Sequence, residues 1–319
     1  MFARDILPRE LQGTTAAYAH PSKMGMIRKF VAAATLLAGF TVLSRAVPAA
    51  ADAPQINVLT TITTFVSLAQ AVGGNRVHVT SLVPVGASPE DYQPTPTDIG
   101  RLHAADVLFE NGLGLEAWLA RTIDNAKNPK LRITVLSDGL PHIDSNPHLW
   151  MDPEFARVYV RKMRDALIAQ DPADRATFER NAAAEDAKLV TLERDIRARI
   201  ETIPPPSRAM IVFHNAWQYY NDRFGIKTVG VIELSPGQEP NPKYISDLIN
   251  LARANHVKAV FSEPEYSPKL VQALAESAGI KTVEDLYDDS IGNDPRVHDY
   301  ESMLRYDTET IVKALGGQV

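Results

Sequence analysis

Residues 173–203 constrain this chain most, because they carry one long helical pattern. Phe178, Ala182, Leu189, Leu192, Ile196 and Ile200 recur at helical spacing with charged residues between them. Asp171-Pro172 suits the start of such a helix. Pro204-Pro205-Pro206 must end it, since proline lacks the amide hydrogen that a helix interior needs. Both flanks read differently, as strands alternating with helices. Before the helix, strands are expected at 56–60, 77–83, 107–110 and 133–136, with a helix at 65–72. After it, strands are expected at 210–213, 228–232, 259–261 and 281–283. Helices are expected at 216–224, around Ile245, Leu248, Ile249 and Ala252, at 270–277 and at 303–315. Alternation of this kind implies parallel βαβ units. The expected fold is therefore α/β, with two lobes of parallel-sheet βα units joined by one stiff helix. The expected divisions are a leader at 1–51, a first lobe at 52–172, the linking helix at 173–203 and a second lobe at 204–319. No short-period repeat is present.

The 319 residues are 45% hydrophobic, enough for two lobes with real cores. Thirty-three basic and 39 acidic residues give a net charge of −6, which offers nothing to nucleic acid. Cysteine is absent. That excludes disulfides, thiolate zinc sites, cysteine nucleophiles and a lipid anchored on an N-terminal cysteine. Arg28 and Lys29 precede an apolar stretch at 30–43 that has the length of a signal-peptide core and is short for a membrane span. Ala49-Ala50-Ala51 then supplies a small-residue site, with cleavage expected before Asp52. Signals begin with their basic residues, so residues 1–23 read as superfluous and the start falls at Met24 or Met26. The mature chain is expected to be exported, not membrane-spanning, and monomeric.

Four loops carry candidate ligands, each after an expected strand or at the start of a helix, where open α/β sheets place their sites. They are Ser88-Pro89-Glu90-Asp91-Tyr92, Asn146-Pro147-His148-Leu149-Trp150-Met151-Asp152, Phe213-His214-Asn215-Ala216-Trp217, and Asp285-Leu286-Tyr287-Asp288-Asp289-Ser290. Thr95 or Thr97 can cap the helix after the first loop. Any one of these loops alone has a bland reading, such as a packed histidine or a solvated acidic pair. Four in order, two in each half, point to one site.

These words resemble the metal-binding receptors of ABC importers, the cluster A-I zinc and manganese solute-binding proteins. The resemblance runs from about Asn57 to the C-terminus. It is carried by Tyr92-Gln93-Pro94-Thr95-Pro96, Ala105-Asp106-Val107-Leu108-Phe109-Glu110-Asn111-Gly112, Pro147-His148-Leu149-Trp150-Met151-Asp152-Pro153, Phe213-His214-Asn215-Ala216, Ser235-Pro236-Gly237-Gln238-Glu239-Pro240 and Phe261-Ser262-Glu263-Pro264. It implies two lobes, a rigid joining helix, and one divalent transition-metal ion, zinc or manganese, held as cargo at the lobe interface. It also implies a membrane permease and a separate ATPase as partners. The chain itself has no G-x-x-x-x-G-K-[ST] loop.

Carried over by motif, the ligands fall on Glu90, His148, His214 and Asp289, with Asp288 and Asp285 as lesser competitors for the last. Glu90 departs from the family, which has histidine two residues before the tyrosine of that motif. Asp91 is expected to be solvated, Trp150 and Trp217 to pack around the site, and Glu239 and Glu263 to orient ligands or serve structure. His20, His78, His103, His142, His256 and His298 stand outside the motifs, and the histidine-rich insertion of some zinc members is missing. Two imidazoles and two carboxylates suit zinc and manganese alike, and the histidine at the third position favours zinc. A secreted zinc-dependent hydrolase, a metal-binding adhesin and a metallochaperone are the rival classes. The first would need an open coordination position and a base, and there is no H-E-x-x-H.

Overall fold

The structure, a computed structural model, describes residues 55–319 apart from 236 and 293. The expected leader, its cleavage site and the alternative starts lie outside those residues.

The first lobe is a parallel sheet of β1 (Ile56–Thr60), β2 (Val77–Ser81), β3 (Val107–Glu110) and β4 (Arg132–Val135) in the order β2-β1-β3-β4. The second repeats it with β5 (Ala209–Val212), β6 (Lys227–Val231), β7 (Ala259–Phe261) and β8 (Lys281–Val283) in the order β6-β5-β7-β8. Identical order in both halves is the relation that residue patterns alone did not reveal.

Strand side chains alternate between two cores, because successive residues of a strand point to opposite faces. Val58, Val107, Phe109, Met210 and Val212 enter one apolar cluster that runs through both lobes. Leu59 and Leu108 enter a second cluster, under α2 (Pro96–Ala104) and α3 (Leu119–Ala126). Ile211 and Val260 enter a third, under α7 (Pro242–Ala254) and α8 (Lys269–Ala278). The shared cluster is completed by α1 (Thr63–Gly73), α4 (Pro153–Gln170), α5 (Arg175–Glu201), α6 (Gln218–Phe224) and α9 (Tyr300–Leu315).

The linking helix is α5, 27 residues and therefore about 40 Å long at 1.5 Å per residue. All six of its expected apolar positions are buried. The gap in that pattern is filled by Glu185, also buried, whose carboxylate accepts from Lys188 at 2.9 Å. A 3-10 turn at Pro172–Asp174 precedes the helix, so its α-helical part starts two residues later than expected. Strand ends shift by one or two residues; β2 stops at Ser81, short of 83. Helix α3 was not anticipated from the pattern. Thr95 is the cap of α2, with Asp98 reciprocating.

Candidate metal centre

The carboxyl ends of both sheets face the same interface, and the loops leaving them bring the candidate residues together. His148 sits between β4 and α4. Asp152 caps α4 by accepting from the Glu154 amide at 2.9 Å, with Pro153 at the first helical position, and this fixes where the preceding loop must stop. The Pro147 carbonyl accepts from Asn111 Nδ2 at 2.8 Å, and Asn111 Oδ1 accepts from the Tyr159 hydroxyl at 2.6 Å. The buried Glu116 carboxylate holds the start of that chain. It accepts from Thr61 Oγ1 (2.6 Å) and from the amides of Asn111 (2.8 Å) and Gly112 (3.1 Å). Burial pushes Glu116 up to about 7 against the pull of those donors. Gly112 has φ +87°, and a β-carbon there would stand 2.6 Å from Val135, so only glycine fits.

The His148 ring is set by Asn146. Asn146 Nδ2 donates to the Asn215 carbonyl of the second lobe at 2.7 Å, which turns Oδ1 toward His148 Nδ1 at 3.0 Å. Nδ1 then carries the hydrogen and Nε2 presents a lone pair. Burial, with His214 nearby, holds His148 well below its usual range, so the ring is neutral.

His214 follows β5 directly. Phe213 is fixed on both sides, its amide donating to the Phe261 carbonyl and its carbonyl accepting from the Glu233 amide. Tyr266 stacks on Phe213 and lies 5.2 Å, ring to ring, from His214. The two histidine rings are likewise 5.2 Å apart. His214 Nδ1 is 3.4 Å from Glu263 Oε2 and its Nε2 is 3.2 Å from Asp288 Oδ2. Burial lowers the His214 pKa, but Asp288, Glu263 and Asp289 outweigh it and raise the group well above its usual range.

The loop after β8 is tied to the first lobe. Trp150 Nε1 and Thr64 Oγ1 both donate to the Asp288 carbonyl at 3.0 Å, the Ile291 amide donates to Thr63 Oγ1, and the Gly86 amide donates to Ser290 Oγ. Asp289 Oδ1 lies 3.8 Å from His148 Nε2. Burial first, then neighbouring carboxylates, raise both Asp288 and Asp289 well above the carboxylate range.

Among the described residues, two sets of three donors have ligand atoms within 4.8 Å of one another: His148, His214 and Asp289, and His214, Glu263 and Asp288. His148 Nε2, both His214 nitrogens, Glu263 Oε2, Asp288 Oδ2 and Asp289 Oδ1 are buried without a hydrogen-bond partner. Buried polar atoms normally have partners; convergent lone pairs without donors are what a cation needs.

Glu90 belongs to neither set. It is half-buried and lines, with His148, His214 and Glu233, a cavity of about 350 Å³ whose lining, among the described residues, contains no lysine or arginine. Burial raises the Glu90 pKa and His214 opposes that. Asp91 is exposed, as expected. Asp285 is engaged by the Tyr306 hydroxyl, away from either set. Glu263 stands beside His214, whereas Glu239 is exposed and lines a separate hollow with Leu234 and Tyr244. Trp217 donates to Glu263 Oε1 at 2.9 Å, and Trp150 lies 5.1 Å, ring to ring, from His148. Sequence reasoning passed over Asn146, Glu233 and Glu265. Glu265 is half-buried, and desolvation first, then the neighbouring Glu263, pushes its pKa up to about 7. All three lie within loops that follow strands, which was the available signal.

Residues 58–314 match the family described as ZnuA, zinc-uptake complex component A periplasmic. The chain is 29% identical over 269 residues to the manganese-binding lipoprotein MntA of Halalkalibacterium halodurans, covering 83% of this chain and 90% of that protein. It is 32% identical over 272 residues to the iron-binding protein YfeA of Yersinia pestis, covering 83% and 88%. Its fold matches the manganese-bound periplasmic metal-binding protein from Candidatus Liberibacter asiaticus with a TM-score of 0.74 at 28% identity, covering 82% of this chain and 100% of that one.

Proposed function

The chain belongs to the ZnuA family of periplasmic metal-uptake components, and from that premise we propose that it captures one divalent transition-metal ion outside the cytoplasmic membrane and hands it to an ABC permease driven by a separate ATPase. It acts as an exported, monomeric receptor and performs no catalysis. The observation that carries this reading is the ring of buried donor atoms without partners, contributed by both lobes. His148 and His214 supply nitrogen, Asp289 supplies a carboxylate, and Glu90 closes on the ion from the cavity side. Zinc is the favoured cargo and manganese the second, since two imidazoles with carboxylates suit zinc and zinc stands above manganese in the general stability order. Among the described residues no helix is long and apolar enough to cross a membrane.

Capture is expected to involve small movements. The two lobes share one apolar core, and the Asp288–Ile291 loop is pinned to α1 and Trp150. Packed cores shift between discrete states and do not flex freely. Entry and release then fall to side chains at the cavity mouth, Glu90 among them. Calorimetric titration of the metal-free protein with zinc, and separately with manganese, tests the reading. One ion bound per chain is expected; no stoichiometric binding of either would overturn it.

A further inference from the structure

Between β4 and His148 the chain runs as a strap, residues 139–146, along the seam of the two lobes. From 141 to 145 its side chains are exposed except for half-buried Ile143, so apolar packing does little to place it. Polar bonds do that work, and they point one way. Among the described residues, every hydrogen bond that the strap makes outside the 136–148 loop ends on Asn215, Gln218 or Tyr219 of the second lobe. The Tyr219 hydroxyl carries two of them at once. It accepts from the Ile143 amide at 3.0 Å and donates to the Asn146 carbonyl at 2.9 Å. The Asn146 amide in turn donates to the Ile143 carbonyl at 3.0 Å, so the hydroxyl closes a turn from outside.

Both bonds are to main chain, so they fix the backbone leading into His148 whatever side chains the strap carries. Tyr219 itself is well fixed. It is 4% exposed, and its ring meets Phe155 of α4 edge to face at 5.9 Å, centroid to centroid. It follows His214 by five residues, in the first turn of α6. One hydroxyl therefore keys the backbone before one histidine to the helix that follows the other. Room for the strap to leave is at hand: residues 143–147 line the metal cavity, and residues 141–143 line a second cavity of about 380 Å³ with Asp152, Phe155 and Tyr219. With the hydroxyl gone, Asn146 Nδ2 alone would tie the strap to the second lobe. The metal-free chain would then hold the strap displaced part of the time, and apparent affinity falls with the fraction of chains that are binding-competent.

We infer that Tyr219 is a positioning residue for metal capture: its hydroxyl holds the strap so that His148 and His214 face each other before an ion arrives. This rests on the receptor reading and deepens it. The role differs from that of Asn146, whose Oδ1 orients the His148 ring. Losing the Asn146 side chain leaves both main-chain bonds to Tyr219 in place, whereas losing the Tyr219 hydroxyl removes both together.

The test compares Tyr219→Phe with Tyr220→Phe in the whole chain. Each substitution removes one buried hydroxyl from α6 and keeps its ring. The Tyr220 hydroxyl bonds Thr308 of α9 at 2.8 Å and not the strap, so Tyr220→Phe reports a purely structural loss. Both variants should melt below the parent when metal-free. Tyr219→Phe should weaken zinc and manganese by about tenfold, and Tyr220→Phe should stay within about twofold of the parent. Hydrogen exchange gives a local reading. The His148 amide donates to Asn146 Oδ1, a bond that neither substitution touches. It should exchange faster in metal-free Tyr219→Phe, regain protection with zinc, and stay unchanged in Tyr220→Phe. Tyr219→Phe binding within about twofold of the parent, or Tyr220→Phe losing as much affinity as Tyr219→Phe, would overturn the inference and leave the receptor reading intact. A parent that binds neither zinc nor manganese would instead defeat the receptor reading itself.

Discussion

Replacing Asn146 by alanine separates what holds the His148 loop from what holds an ion. The side chain is 8% exposed and makes three bonds of 3.0 Å or less, besides a longer one from Nδ2 to Gln218 Oε1 at 3.4 Å: Oδ1 accepts from the His148 amide and from Nδ1, each at 3.0 Å, and Nδ2 donates to the Asn215 carbonyl at 2.7 Å. At a net worth of about 1 kcal/mol each, their loss should cost about 2–3 kcal/mol of folding stability. For a chain of this size that lowers the melting temperature by about 4–12 °C. Binding feels less of this, because only the Nδ1–H bond changes strength when Nε2 takes an ion. A polarised imidazole is a better donor, and loss of such an orienting partner weakens metal affinity by about 10–100-fold, or about 1.4–2.7 kcal/mol. Asn146→Asp keeps the acceptor toward Nδ1 and loses the donor toward Asn215. It should therefore share the stability loss but recover most of the zinc affinity. Chelator competition measures affinity and thermal melts of the metal-free proteins measure stability. The reasoning fails if Asn146→Ala binds zinc within about threefold of the parent, or if Asn146→Asp binds as weakly as Asn146→Ala.

Two further outcomes are expected. Arg223 pairs across the lobes with Asp152 through contacts of 2.7–2.9 Å, and Asp152 is nearly buried while Arg223 is 29% exposed. Breaking a buried pair costs about 3–5 kcal/mol, and partial exposure reduces this to about 2 kcal/mol for Arg223→Ala. Burial already raises the Asp152 pKa, with Arg223 opposing. Removing Arg223 raises it further, so the loss should be full at neutral pH and fade as acid protonates Asp152 in both proteins. Denaturant unfolding across that range checks it, and a pH-independent difference would refute the pairing. Glu90→Gln should weaken both ions, whereas Glu90→His should move the preference toward zinc. Equal affinities in the parent and both variants, read by the same competition assay, would show that Glu90 does not touch the ion.

Most strands and the joining helix were legible because their signals are local: period two in the strands, helical spacing across α5, and prolines that terminate it. Glu185 shows the limit. It occupies an apolar slot of α5 and is tolerated there because Lys188, one turn on, reaches it. Helix α3 was missed because Leu119-Ala120-Arg121-Thr122-Ile123 shows neither a proline nor a side-chain cap at its start. The duplicated sheet order left no trace in residue identities, since many apolar sequences satisfy one parallel sheet. The two histidines were found because their flanking words are distinctive, and the structure sets them side by side. Asp288 was ranked below Asp289 because a sequence cannot tell which of two adjacent carboxylates turns inward. Here both do, one to each histidine. Motif alignment places Glu90 with the histidines, and in the structure it lines the same cavity as His148 and His214.

The repeated sheet order has a consequence for the economy of the folded state. Each lobe ends its strands at the same seam, and the closely spaced donor set that includes His148 draws on both lobes. An ion bound by that set would cross-link the halves through non-covalent, reversible donors. Any species that binds only the assembled seam stabilises it by mass action. An ion at a thousand times its dissociation constant adds about 4 kcal/mol, comparable to the summed worth of the four hydrogen bonds that tie the Asp288–Ile291 loop to the first lobe. Resistance of the chain to proteolysis should thus rise with free metal, making its lifetime a readout of supply.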